Sequence, residues 1–360
     1  MRQESTRVVI GGQSLIKRDI QGTSHPGFRR IIELVRQGDH AFTNLEVTIA
    51  GSRGGEPTKE KFLTTAAPEV LDSLKEVGFD TLSLSNNHMF DLGPDGVQST
   101  LEEVAKRGFA FAGAGLDLST AAAPGFHRSS ASTLGVLAMD CGPQPADVYA
   151  KNESATGSAQ PGINGLRINE SEHGLEPESE DVEAVVRSIR TAGQEADLVL
   201  VYVHNHHWEE VKWKTPRWMV DFAHRCIDAG AHMFVGHGAP ALHAIEIYKG
   251  QPIFYGLGNF LFQTSLAKHW KDEFGLRPWQ SVVAEAEWTG GKLAGLKLTP
   301  ICLGHEDEDS SEAKTANFLD FPLIPLHGYG RRILDSLDNL SQPFGTRLRH
   351  VDGAAIVELE

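Results

Sequence analysis

For about its first 300 residues the chain alternates short runs of Val, Ile, Leu and Phe with stretches whose apolar residues recur every three or four positions. The runs 7-RVVIG-11, 40-HAFTNLE-46, 80-DTLSLSN-86, 134-LGVLAMD-140, 198-LVLVYVH-204, 232-HMFVGH-237 and 253-IFYGLGNF-260 predict strands, several of them buried on both faces. Between them, 68-PEVLDSLKEVG-78, with Pro at its start and Gly at its end, predicts a helix. So do 98-QSTLEEVAKRG-108, 181-DVEAVVRSIRTAG-193 and 216-PRWMVDFAHRCIDAG-230. This alternation predicts an α/β protein built around a central sheet system. The stretch 281-SVVAEAEWTGGKLAGLKLTP-300 alternates around a Gly-Gly turn, so it predicts an antiparallel hairpin and therefore a mixed sheet.

Two regions break the rhythm. Residues 142–180 are rich in Pro, Gly, Ser, Asn and acids without apolar periodicity, and predict a long surface loop or a lid over a site. The glycine-rich 112-AGAGLDLSTAAAPG-125 has no dinucleotide fingerprint and predicts a turn into a short helix. After Cys302 the chain begins acidic, 305-HEDEDSSEAK-314, then shows one amphipathic helix, 329-YGRRILDSLDNLS-341, and a strand-like end, 354-AAIVELE-360. Residues 1–303 are therefore expected to form the main domain, with 304–360 packed on it as an extension.

Composition narrows the function classes. With 360 residues, 40% apolar and 22% charged, the chain has the make-up of a soluble globular protein. A formal charge of −15 and the lack of a Lys/Arg run argue against nucleic acid as a partner. Cys141, Cys226 and Cys302 show no C-x-x-C spacing and predict neither disulfides nor a thiolate zinc site. MRQESTRVVIGG leads straight into a strand with no long apolar segment, so neither signal peptide nor membrane anchor is expected and a cytoplasmic location is.

The chemistry gathers at the predicted carboxyl ends of the strands, where ligands collect in α/β sheets. These ends read 11-GGQSL-15, 43-TNLE-46, 85-SNNHMFD-91, 204-HNHHW-208 and 236-GHGAP-240. A lone His or Asn is commonly a cap or a satisfied core group. Oxygen and imidazole donors converging from several strands are what a divalent cation requires.

The series NLE, NNH-x-x-D-x-G, a strand ending in His, G-A-x-x-F-V-G-H and 245-IEIYKGQPIFYGLGNF-260 resembles the CapA (poly-γ-glutamate capsule synthesis) family of the calcineurin-like metallophosphoesterase superfamily. The resemblance implies a four-layer α/β/β/α sandwich with mixed sheets and a metal site at one sheet edge. Carried over residue by residue, it makes Glu46, Asn87, His204 and His237 the metal ligands and His88 the acid/base. It also shows a loss. Gln13 stands where the family has an aspartate, and Pro240 where it has a second histidine, so the resemblance implies one divalent ion (Zn, Mn, Fe or Ca) rather than two.

One Lewis-acidic ion flanked by bases suits amide hydrolysis or proton removal at a carbon α to a carbonyl. The expected substrate is a peptide or another small amide- and carboxylate-bearing molecule. Two-metal phosphoester hydrolysis, or non-catalytic metal binding in capsule or polyglutamate handling, stands as the alternative. The family's capsule proteins usually carry a membrane anchor, which counts against the capsule role here. Asp91, three residues after His88, either orients that imidazole or caps a helix. His206 is the second acid/base candidate. Gln13, Asn44, His207, Trp208, His243 and Asn259 are possible lining residues, with His207 expected to pack beside Trp208 and Asn259 to support the site. Most of Trp208, Trp213, Trp218, Trp270 and Trp279 are expected in packing, and Lys59 and Lys61 on the solvated surface.

Overall fold

The computed structural model describes residues 5–155, 157–172, 174–264, 266–304 and 321–359. Its centre is the strand Ser5–Leu15, whose Val8 and Ile10 face one apolar cluster while Val9 faces another. This period-two alternation, apolar on both sides, forces cover on both faces. Strands His40–Leu45, Thr81–Ser83 and Ala110–Ala112 continue in parallel on one side of it. On the other side the antiparallel hairpin Gln280–Thr289 and Lys292–Leu303 pairs with its first half. A second sheet of six strands has Met233–His237, Leu198–His204 and Thr133–Asp140 in parallel at its centre.

One apolar cluster joins Val8, Ile10 and Phe42 of the first sheet to Val136, Leu200, Tyr202 and Val235 of the second. The outer face of the first sheet carries helices Pro26–Val35, Glu69–Val77 and Gly93–Lys106 through Phe28, Leu74 and Val97. That of the second carries Ser179–Ala192 and Arg217–Asp228 through Ile189 and Phe222. A mixed α/β architecture with more than one mixed sheet is thus what the alternation of patterns produces. Among the described residues no helix is long and apolar enough to cross a membrane, and all three cysteines are free and buried.

Several expectations change in detail. The run 253–260 is two strands in two sheets: Gln251–Phe254 belongs to the six-stranded sheet, and Asn259–Phe262 crosses over to pair with Ser14 and Leu15. Periodicity cannot see such a crossing, because both halves are buried. The helix expected at 98–108 begins at Gly93, where Pro94 sets its first turn. Residues 142–180 hold short strands at Gly162–Ile163, Ile168–Ser171 and Gly174–Pro177. The acidic stretch 305–314 lies outside the described residues.

The C-terminal residues are built into the sheets. Strands Leu348–Val351 and Ala354–Val357 extend the first sheet beyond the hairpin, and helix His327–Ser341 sends Ile333, Leu334 and Leu337 into the cluster between the sheets. Leu334→Ala should therefore cost about 2–5 kcal/mol, as for a fully buried leucine. Urea unfolding measures it; a loss below about 0.5 kcal/mol, the range of surface changes, would place the helix outside the core.

Candidate functional site

The carboxyl ends of both sheets meet at one edge. Ser5–Leu15 ends near Gln13, His40–Leu45 leads into Glu46, and Thr81–Ser83 leads into the turn Asn86–Asp91. From the second sheet, Asp140, His204 and His237 stand side by side at the last positions of three neighbouring parallel strands.

Two glycines permit the close approaches there. A Cβ on Gly12 would lie 2.3 Å from the Gly258 carbonyl oxygen, and the space left by its hydrogen lets 257–259 close onto the first strand. Gln13 N then donates to Gly258 O at 3.0 Å, and Gln13 Nε2 donates to Asn259 Oδ1 at 2.8 Å. Gly238 has φ +131°, and a Cβ there would meet the Asn205 carbonyl at 1.9 Å.

The turn after Thr81–Ser83 is tied by Asn86. Its Oδ1 accepts from His88 N at 3.0 Å, while its Nδ2 donates to Asn44 Oδ1 at 3.1 Å and Leu45 O at 2.8 Å. This fixes Asn87 and His88 against the strand that carries Glu46. His88 Nδ1 lies 2.8 Å from Asp91 Oδ2, and a carboxylate accepts only, so the proton sits on Nδ1 and leaves the Nε2 lone pair free. Asp91 also accepts from Thr64 N at 2.7 Å and pairs with Lys59 Nζ at 2.7 Å. Lys59 Nζ donates in addition to the Asn87 carbonyl. Asp91 thus orients His88, and the next helix takes no side-chain cap from it. Lys59, expected on the solvated surface, is part of the site.

His204 is the point of convergence. Its Nε2 lies 3.1 Å from Asn87 Oδ1, 3.0 Å from His206 Nε2 and 4.0 Å from Glu46 Oε1, while its Nδ1 meets the Tyr202 hydroxyl at 3.2 Å. The strand ends at His204, yet the turn carries the His206 ring back beside it, a placement that strand alternation cannot foresee. Burial pushes the Glu46 carboxyl up to about 8, with Asp91 adding to the shift and Lys59 opposing it. Burial likewise pushes His206 and His237 down to about 3 and takes His204 well below its ordinary value.

These groups fit a divalent cation. Glu46 Oε2 and both ring nitrogens of His237 are buried with no hydrogen-bond partner. The spacings of 3.0–4.0 Å around His204 Nε2 are close to the roughly 3.3 Å that separates donors about 2 Å from one ion. Among the described residues no three His, Cys, Asp or Glu side chains are drawn together tightly enough to make a cation site by themselves; the further oxygen beside His204 is Asn87 Oδ1. Pro240 offers no donor at the second position of a two-metal centre, and Gln13, its Nε2 spent on Asn259, keeps there only a neutral amide oxygen, Oε1, which is buried without a partner.

The other expected residues divide. A cleft of about 640 Å³ opens over Gln13, Glu46, Asn87, His88, His206 and Pro240, with Trp208 and Trp270 on one wall. Lys59 and Lys61 lie on the opposing loop, where Phe62 has φ +60° and is 64% exposed. No described residue of 142–180 lines this cleft, so its cover comes from 59–64 and 264–274 rather than from that segment. His207 turns away and its Nε2 meets the Cys141 carbonyl at 3.0 Å; it is no lining residue. Asn44 and Asn259 are buried supports, and His243 lies behind the cleft in a separate small cavity. Trp218 and Trp279 are core residues, and Trp213 is exposed away from the cleft.

Sequence reasoning missed Asp140. It is 1% exposed, accepts from Gly142 N at 2.9 Å, and burial pushes its pKa up to about 7. Its signal was present: 134-LGVLAMD-140 ends in an acid at the position where neighbouring strands end in histidine. The roles of Asn86 and Tyr202 were also unforeseen, since an amide or a phenol in a strand run carries no mark of its partner.

The chain is a CapA-type member of the calcineurin-like metallophosphoesterase superfamily. Residues 7–264 match the model of the family described as "Bacterial capsule synthesis protein PGA_cap", and the chain belongs to that family. An uncharacterized protein of Sinorhizobium fredii is 26% identical over 98% of this chain and 93% of its own. The "PGA biosynthesis protein CapA" of Bacillus subtilis is 28% identical over 65% of this chain and 56% of its own. A "Probable polyglutamine synthesis accessory protein" of Mycobacterium tuberculosis is 30% identical over 61% of this chain and 55% of its own. The chain thus spans little more than half of these last two relatives.

The buried imidazoles set a pH dependence. His206, His237 and His243, depressed to about 3, 3 and 4 from an ordinary 6.5, contribute stability that is present above pH 6.5 and lost as pH falls through that window. Glu46 and Asp140, raised to about 8 and 7, run the other way and lose their contribution as pH rises through those values. Between pH 7 and pH 5 each imidazole costs on the order of 2 kcal/mol and each of the two carboxyls returns about as much, so the opposing terms largely cancel. Removing one imidazole exposes the effect: in urea unfolding of the metal-stripped protein, His243→Leu should gain about 2 kcal/mol over the wild type on going from pH 7 to pH 5, and an identical pH response in the two proteins would contradict neutral burial of His243.

Proposed function

We propose that the chain is a metal-dependent enzyme with the helix–sheet–sheet–helix layering of the calcineurin-like fold, acting by proton transfer on a peptide or other amide- and carboxylate-bearing substrate. The observation that carries this reading is the His88–Asp91–Lys59 array at the cleft, next to the buried donors around His204. Glu46, Asn87, His204 and His237 would hold one divalent ion, Zn, Mn, Fe or Ca. When bound, the ion supplies a Lewis acid that draws charge from a substrate carbonyl.

The protein's own residues do the rest. His88, its Nδ1–H fixed on Asp91, presents a neutral Nε2 that can take a proton from a carbon α to a carbonyl or from a water attacking an amide. Asp91 stabilises the ring once it is protonated, and Lys59, paired with Asp91 Oδ1, holds that carboxylate in place beside the imidazole. His206 is better placed to share the ion than to move protons, because it faces His204 and burial holds it neutral. Lys61 and Lys17 offer cations to a substrate carboxylate, while Phe62, Trp208 and Trp270 enclose its apolar part.

The printed names of the relatives, capsule synthesis and polyglutamine synthesis, support a role in handling amide-linked, carboxylate-rich material. A two-metal phosphoesterase is the weaker reading, since Pro240 supplies no ligand atom and Gln13 only a neutral amide oxygen in place of a carboxylate. His88→Ala should keep the ion, by elemental analysis, and lose about 10²–10⁴-fold in turnover. Turnover at the wild-type rate would remove His88 from the mechanism.

A further inference from the structure

A second, much smaller space shares Trp208 with the cleft. Its volume is about 10 Å³, and it is lined by Asn205, Trp208, Met219, His237, Ala239, His243, Tyr255 and Gly256. That is room for about one water molecule. His237 and His243 are 4% and 6% exposed, and none of their four ring nitrogens has a hydrogen-bond partner. Two buried imidazoles with every polar atom unmatched, facing one water-sized space, call for something that both can bind.

The surroundings narrow what that is. A neutral imidazole has one N–H and one lone pair, so each ring can both donate and accept. The Lys212 carbonyl lies near His243 but closes no hydrogen bond with it. Apart from the two imidazoles the lining has no carboxylate, and its amide, Asn205, is already spent, its Oδ1 on His207 N and its Nδ2 on the His207 carbonyl. The space therefore lacks the charge that a second cation would need. A water can accept from one ring and donate to the other.

We infer that His243 is a positioning residue that acts on His237 through one water in this cavity, fixing the His237 tautomer so that its other nitrogen faces the ion-binding group. Histidines that bind metals regularly engage their second nitrogen in such an outer partner, which sets ring orientation and basicity. The arrangement also bears on the chain's departure from its family. Pro240 has taken the place of an imidazole on the cleft side, and His243, three residues further on, gives His237 an imidazole neighbour from behind.

The inference rests on the proposal that His237 holds an ion, and the test separates the two. Zn²⁺ affinity is measured on the full-length protein by competition with a chromophoric chelator, alongside the melting temperature of the metal-stripped form. His243→Leu, which fills the space without polar atoms, should weaken Zn²⁺ binding about 10–100-fold while leaving the metal-free melting temperature at or above the wild-type value. His243→Gln, which can still hold the water, should recover affinity to within a few-fold of wild type. Unchanged affinity in His243→Leu, or a glutamine variant as weak as the leucine one, overturns the positioning role and leaves the ion site standing. A wild-type protein that takes up no Zn²⁺ overturns the ion site and the positioning role together.

Discussion

A carboxylate taken out of water among neutral imidazoles is the constraint on which the rest of this structure turns. Glu46 is 4% exposed, leaves Oε2 without a partner, and has Oε1 4.0 Å from His204 Nε2. Such a group costs several kcal/mol unless a cation answers it or a proton neutralises it. The two sheets end together at this edge, so their terminal residues share one desolvated space. Lys59 opposes the raised pKa of Glu46 but gives its ammonium to Asp91 and the Asn87 carbonyl. A cation beside His204 Nε2 would answer the unpartnered Glu46 oxygen.

The supporting structure follows from holding those donors still. Gly12 lets the 257–259 segment close on the first strand, which brings Asn259 Oδ1 to Gln13 Nε2 and leaves Gln13 Oε1 without a partner. Asn86 binds the His88 turn to the strand carrying Glu46, so acid/base and ligand groups move as one body. The inter-sheet core continues through helix His327–Ser341. The C-terminal residues therefore help set the angle between the sheets whose edges make the site.

Much of this could be read from residue order, for identifiable reasons. Strands buried on both faces announce themselves as unbroken apolar runs, and their last residues, such as His204 and His237, can be read off directly. The Asn87–His88 pair was legible because both sit in one short turn, and Asp91 because three residues separate it from His88. What escaped was set by tertiary approach. His206 rejoins His204 only through a turn, Lys59 reaches Asp91 across a loop, and the 253–260 run changes sheets halfway. The cover over the cleft comes from 59–64 and 264–274, since a polar composition over 142–180 says that a segment is exposed but not what it lies against. Asp140 was overlooked because an acid at the end of an apolar run has no distinguishing neighbour in sequence.

The central claim is that these residues hold a single ion, since Pro240 has no side-chain donor and Gln13 offers only a neutral amide oxygen to a second. Elemental analysis of the purified, extensively dialysed protein tests it most directly. The account predicts one divalent ion per chain, lost when Glu46 is replaced by Gln; two tightly held ions per chain, or one that survives Glu46→Gln unchanged, would contradict it.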